Sequence, residues 1–335
     1  MSGLETDAGP LAPFLHDPAV TDVLVNGPGP VWVDRGGGVQ RTSVVIGEEQ
    51  SLRRLAQRLV ASCGRRLDDA MPHVDARLPD GTRLHAVLPP VSPQGTCLSL
   101  RVPPRRTFTL DELVDAGSVP SAGAELLTRL VLGRLPFLVT GGTGTGKTTV
   151  LSTLLSLVPP EERIVLVEDA AELRPAHPHV VRLEARPANA EGAGAVDLTT
   201  LVRQALRMRP DRLVVGEVRG AEVRELLGAL NTGHEGGCGT LHANRAEHLP
   251  ARIEALGAVA GLPRAAAHSQ LAAAVDLVVH LQRARDGRRR VAAVAVLDAS
   301  PDGQVSALPA VRFADGAVHR GPAASELERR LSAWE

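Results

Sequence analysis

Eight residues, Gly141-Gly142-Thr143-Gly144-Thr145-Gly146-Lys147-Thr148, with Thr149 next, satisfy the pattern G-x-x-x-x-G-K-[ST] in full. Glycines at this spacing let successive backbone N–H groups turn inward toward an anion. A helix opening directly behind them adds the partial positive charge of its amino end. Lys147 then reaches the β- and γ-phosphates of a nucleotide, and the Thr148 hydroxyl ligates Mg²⁺. The flanks supply the required setting. Residues 137–140 are a short apolar run of strand type, and Val150, Leu151, Leu154, Leu155 and Val158 follow at helical spacing until Pro159-Pro160. Residues 141–149 are therefore the expected cradle for a nucleoside triphosphate and Mg²⁺.

Hydrolysis at such a loop also requires an acid for metal and water, a group that senses the γ-phosphate, and positive charge for the transition state. Residues 163–169 form an apolar run ending in Glu168 and Asp169. Ligands of open α/β sheets sit at the carboxyl ends of strands, so both acids are expected to face the nucleotide. Residues 212–219 repeat the arrangement, with Gly216 and Glu217 after the apolar run. Gly216 stands where many phosphate-loop families have Asp, which leaves Glu217 as the base or water-positioning group, sharing metal contact through water. Residues 233–244 are the other dense patch. His234, Cys238 and His242 have a zinc-like spacing, but no fourth ligand is evident and the glycines preclude an aligning helix. His242, at a strand end, is instead expected to read the γ-phosphate with help from Asn244. His73, His85 and His268 are expected to be structural or exposed.

The elements that must hold these residues fall into two halves. Short β-type runs at 23–26, 31–33 and 42–46 alternate with Gly/Pro turns, then 48–64 switches to an amphipathic helical period. Runs at 74–78 and 83–88 flank the turn Pro79-Asp80-Gly81, and 98–102 is one more strand. From Ser121 helices and strands alternate: helices at 121–133, 148–157, 198–208, 221–230, 246–259 and 264–274, strands at 137–140, 164–167, 213–215, 240–242, 277–281 and 291–297. Asp286-Gly287 makes a hairpin turn between the last two. The expected fold class is α/β: a C-terminal P-loop, RecA-like domain with a mainly parallel sheet after a smaller α+β domain. The expected boundaries are a flexible 1–16, the α+β domain at 17–102, a linker at 103–120, the P-loop domain at 121–322 and a tail at 323–335 that ends in a short helix.

With 37 Lys and Arg against 38 Asp and Glu, the net charge is −1, and nothing global marks a nucleic-acid or membrane-surface binder. Three scattered cysteines fit a reducing cytosol. No basic, apolar leader opens the chain, and no run reaches the roughly 18 apolar residues of a spanning helix, so a membrane role is expected to come through a partner. Tyrosine is absent and only four Phe and two Trp are present, too few for the stacking platforms of single-strand binders.

Four motifs now stand in order: residues 141–149, Val-Glu-Asp-Ala-Ala-Glu-Leu at 167–173, the stretch 206–222 around Val-Gly-Glu-Val-Arg-Gly-Ala-Glu, and the patch 233–244. Together they resemble the Walker A, Asp-box, Walker B and His-box series of the type II/IV secretion ATPases, in particular the Tad/Flp-pilus and conjugal-transfer branch. The resemblance runs from about Asp17 to Phe313 and includes residues 22–27, 79–83 and 186–192. It implies a ring, commonly a hexamer, hydrolysing ATP on the cytoplasmic face of a membrane and working on an inner-membrane platform protein; from the neutral charge and few aromatics, no direct nucleic-acid contact is expected. It assigns catalysis to Glu217, the Asp-box acid to Glu168 and the His-box histidine to His242. It also draws arginines into the site across domains or subunits, with Arg83, Arg101, Arg203, Arg207 and Arg219 in matching stretches. Two departures are a short segment before Asp17, where some relatives carry a docking extension, and Cys238-Gly239 within the His box.

Other classes remain in view. A nucleic-acid translocase or packaging ATPase would show salt-sensitive stimulation by DNA. A P-loop kinase would yield a phosphorylated product and leaves the first domain unexplained. A nucleotide-dependent scaffold without catalysis sits badly with the intact Lys147, Thr148, Glu168 and Glu217.

Overall fold

The structure, a computed structural model, describes residues 8–103, 106–186, 188, 193–233, 235–284, 287–314 and 317–333. The expectations for residues 1–7, Asp286, His234 and most of 186–192 lie outside the described residues. The chain divides into two compact units, Met1–Arg106 and Thr107–Glu335.

The first unit is a six-stranded antiparallel sheet. Strands β1 (Asp22–Asn26), β2 (Gly29–Asp34), β3 (Val39–Ile46), β4 (His73–Arg77), β5 (Arg83–Val87) and β6 (Cys97–Arg101) lie in the order β3-β2-β1-β6-β5-β4. The Glu49–Ser62 helix buries Leu52, Leu55, Ala56, Leu59 and Val60 in this unit's core, the face that the sequence period selects. Residues 9–16, expected to fray, are ordered instead. A 3-10 turn at Gly9–Leu11 leads into a helix at Ala12–His16, and Leu11 and Leu15 are fully buried in the same core.

The second unit is built on nine strands: β7 (Phe137–Gly141), β8 (Ile164–Glu168), β9 (Val180–Glu184), β10 (Arg212–Val218), β11 (Cys238–His242), β12 (Leu277–Arg283), β13 (Arg289–Ala299), β14 (Val305–Ala314) and β15 (Ala317–Arg320). Their order is β15-β14-β13-β12-β7-β11-β10-β8-β9. The pairs from β12 to β9 are parallel, and those from β15 to β12 are antiparallel. Both faces are covered, so the central strands are apolar throughout. Phe137 and Val139 of β7 enter one core with the helices Ser121–Leu132, Lys147–Leu155 and Ala324–Ser332. Leu138 enters the other, with Leu198–Ala205, Glu222–Asn231, Leu249–Val259 and Arg264–Ala274.

Two stretches expected to be peripheral are integral to this unit. Within the expected linker, a Thr109 capping box starts the Leu110–Asp115 helix, and Leu113 and Val119 are buried in the core. In the expected tail, Leu327 and Leu331 are buried, and Arg330 bonds the Asp276 carboxylate at 2.7 Å and the Leu297 carbonyl at 3.0 Å. Strands β9, β14 and β15 were not expected from the sequence. Pro309 interrupts the pattern of β14, and the register with β13 shifts beside it, where a strand accommodates a residue lacking an N–H.

Candidate functional site

Parallel register brings the chemical residues to one edge. Val167 pairs with Val215, so Glu168 ends β8 abreast of Gly216 in β10. His242 pairs with Gly141, and so does Leu281. Glu168, Glu217, His242 and the start of the phosphate loop thus share the carboxyl edge of the sheet, where an open α/β sheet takes its ligands.

The loop itself is held by its own atoms. Gly144 (φ +70°) and Gly146 (φ +92°) occupy the left-handed region, which glycine enters without a Cβ penalty. The Thr145 hydroxyl donates to the Gly142 carbonyl at 2.9 Å. Lys147 is buried, and its ammonium donates to the carbonyls of Gly141 (3.1 Å) and Gly142 (3.0 Å). Burial pushes its pKa below the ordinary lysine value, and the Glu217 carboxylate opposes that shift. Thr148 and Thr149 open the Lys147–Leu155 helix.

Around this loop the acids are not equivalent. Glu168 is 3% exposed, and its Oε1 accepts from the backbone N–H groups of Glu172 and Leu173, each at 2.9 Å. Asp169 is exposed. A Cβ on Gly216 would lie 2.6 Å from Glu168 Cγ and 3.0 Å from its Oε1. The missing side chain of Gly216 is therefore the space that Glu168 fills. Sequence reasoning treated the glycine as the loss of an acid; the register shows an acid from the neighbouring strand standing over it. Glu217 is partly exposed and is paired with the Arg219 guanidinium. The Glu222 carboxylate, 6% exposed, accepts from the backbone N–H of Gly220 at 2.8 Å and from that of Arg219, which holds the turn after β10.

Glu172 was given no role from sequence, yet it faces the loop. Its Oε2 accepts from the Thr148 hydroxyl at 3.5 Å, and its charge is felt at Lys147. Its place four residues past Glu168 was the available signal. His242 is partly buried and Asn244 exposed. Cys238 and His242 lie at opposite ends of β11, about 13 Å apart at the usual rise per residue, a span no single metal ion bridges. Burial pushes the Cys238 thiol up to about 12.

The expected arginines divide. Arg219 is at the edge with Glu217. Arg203 instead pairs with Glu225 at 2.7 Å, and Arg207 bonds the Arg203 carbonyl at 3.1 Å. In the first unit Arg83 pairs with Asp75 (2.9 Å) and Arg101 with Asp22 (3.3 Å).

The profile of the type II/IV secretion system protein family matches residues 4–310. The chain belongs to that family. It is a secretion-system ATPase, an enzyme that hydrolyses ATP. It is 58% identical over 309 residues to a putative conjugal transfer protein of Mycobacterium tuberculosis, covering 90% of this chain and 88% of that one. It is 34% identical over 320 residues to the type IV secretion system protein PtlH of Bordetella pertussis, covering 87% and 94%. Its fold is that of the pilus retraction motor PilT solved with bound ADP: the TM-score is 0.61 at 18% identity, over 100% of this chain and 87% of that one.

Proposed function

We propose that this ATPase is the motor of a Tad-type pilus-assembly or conjugal-transfer machine. It works as a ring, commonly a hexamer, at the cytoplasmic face of the membrane, against an inner-membrane platform protein. The observation that carries the catalytic part is the convergence of Lys147, Glu168, Glu217 and His242 at one sheet edge. In this reading the backbone of 141–149 and Lys147 hold the phosphates. Glu217 orients the attacking water and accepts its proton, and the buried Glu168 fixes the 169–173 turn beside it. His242 reads the γ-phosphate. The Thr148 hydroxyl and the Glu172 and Glu217 carboxylates are hard oxygen donors, which fits Mg²⁺. Bound there, Mg²⁺ would neutralise charge on the phosphate oxygens. Arg219 is the positive charge nearest Glu217, and Arg203 and Arg101, engaged elsewhere within one chain, would act across subunits.

Steady-state phosphate release on wild type and Glu217→Gln, over a range of protein concentration, tests this. Specific activity is expected to rise with concentration, and the substitution to abolish turnover while ATP still binds. Concentration-independent turnover that survives the substitution refutes both the ring and the base. The conjugal-transfer name of the mycobacterial relative favours one further reading, a nucleic-acid translocase. DNA stimulation of turnover that fades with salt would select it.

A further inference from the structure

Strand β10 changes phase part-way along. Leu213 and Val215 are buried in the core of the Leu198–Ala205 and Glu222–Asn231 helices. Val214 is buried in the other core, with Val150, Leu151 and Leu154 of the phosphate-loop helix. Side chains alternate along a regular strand, which would return Val218 to the face of Val214. Val218 instead lies in the core of Leu213 and Val215. The pairing with β11 gives the reason. Val215 is abreast of Gly239 and Val218 of Leu241, so β10 advances from 215 to 218 while β11 advances only from 239 to 241. The extra residue is a bulge at Gly216-Glu217, a device that re-aims a side chain. Unbulged, β10 would send Glu217 after Val215 into an apolar core. The bulge turns it to the face of the phosphate-loop helix, where its charge acts on Lys147.

One side chain ties this bulge down. The Thr240 hydroxyl donates to the Gly216 carbonyl at 2.6 Å. Thr240 is 1% exposed and lies mid-way along β11, abreast of Val139 in β7. Branching at Cβ leaves it few rotamers, so the hydroxyl is fixed where the carbonyl meets it. That carbonyl belongs to the planar peptide joining Gly216 to Glu217, and the tilt of this peptide sets the direction in which the Glu217 side chain leaves the strand. We propose that Thr240 is a positioning residue for Glu217, its hydroxyl locking the bulge that holds the carboxylate at the phosphate loop. The proposal rests on Glu217 being the group that orients the attacking water.

Steady-state hydrolysis by the full chain, at a protein concentration where specific activity has levelled off, tests it with Thr240→Val, Thr240→Ala and Thr240→Ser. Calorimetric titration with ATP reports that each variant is folded. Thr240→Val keeps the shape and loses the donor. Its kcat is expected to fall by about thirtyfold to a hundredfold, the scale of a reacting group misplaced by about 1 Å. ATP affinity should stay within about twofold, as for an interaction that matters only in the transition state. Thr240→Ser restores the donor on a less restricted side chain, so kcat should recover to within about threefold of wild type. If Thr240→Val does not fold, Thr240→Ala carries the same expectation without added bulk. In a Glu217→Gln background Thr240→Val should cause no further loss, because the group it positions is gone. A serine variant as slow as the valine one, or equal losses of kcat and ATP affinity, would show that packing acts in place of the hydroxyl and overturn the proposal. Wild-type turnover in the hydroxyl-free variants, with Glu217→Gln inactive, overturns the role of Thr240 alone. Wild-type turnover in Glu217→Gln removes the base, and this proposal falls with it.

Discussion

Gly216→Ala is a one-carbon change with a large expected effect. The backbone at 216 is not among the left-handed glycines, so alanine itself is not strained there. The cost is steric. The new Cβ would lie 2.6 Å from Glu168 Cγ, about 1 Å inside the 3.5–4.0 Å at which two carbons sit comfortably. Glu168 ends a strand packed on both sides, so its side chain has to leave its position, and with it the two 2.9 Å bonds from the N–H groups of Glu172 and Leu173. Bonds to a charged acceptor are worth about 1.5–3 kcal/mol each, and partial relaxation recovers some of that. The expected net loss is about 2–4 kcal/mol, a melting temperature lower by roughly 5–15 °C for a unit of this size. Thermal unfolding followed by fluorescence, with phosphate release alongside, reads both consequences, and turnover is expected to fall by at least about a hundredfold. Glu168→Ala removes the obstructing atoms, so Gly216→Ala should cost little stability in that background. If the two changes are instead additive within about 0.5 kcal/mol, the contact between Gly216 and Glu168 carries no energy and the account of this glycine is wrong.

Arg212 is 1% exposed; it bonds Glu162 at 2.6 Å and the Val131 carbonyl at 3.0 Å. Burial pushes the Glu162 carboxyl up, but Arg212 and Arg134 together outweigh it and hold it below the usual range. Arg212→Ala should therefore cost about 3 kcal/mol in urea unfolding, and a loss under 1 kcal/mol would contradict this. His280 bonds Thr140 at 2.9 Å, and burial lowers its pKa from about 6.5, with Glu247 opposing and His248 assisting. Because the unfolded chain takes a proton that folded His280 refuses, stability should fall as pH drops below about 7. The loss is at most about 1.4 kcal/mol per pH unit, and His280→Asn should flatten it; an unchanged pH slope counts against the effect. Cys238, buried and with its thiol pushed up to about 12, should resist a thiol reagent until the protein unfolds. Rapid native labelling at Cys238 would show that β11 opens.

What the sequence made legible depended on whether the signal was local. The loop at 141–149 announced itself because a left-handed turn requires glycine and a strand and helix flank it within a few residues. The acids at the ends of β8 and β10 were legible for the same reason, since each follows its own apolar run. The relation between Glu168 and Gly216 was not, because it exists only through the parallel register of two strands far apart in the chain. Pro309 hid β14, and the Ala324–Ser332 helix looked peripheral because its buried apolar side chains, Leu327 and Leu331, stand among charged ones.

The patch at 233–244 shows the same limit from the other side, since nearness in sequence made two sites look like one. Strand β11 separates its ends. A Cβ on Gly236 would overlap the Arg212 guanidinium, and Cys238 packs in the core above it, so this end belongs to the buried Arg212–Glu162 pair. His242 lies abreast of Gly141 at the opposite edge. Substituting Gly236 should therefore register in stability, whereas substituting His242 should register in turnover. Residues that read as one motif thus stand at opposite ends of β11, one beside the buried Arg212–Glu162 pair and the other beside the phosphate loop.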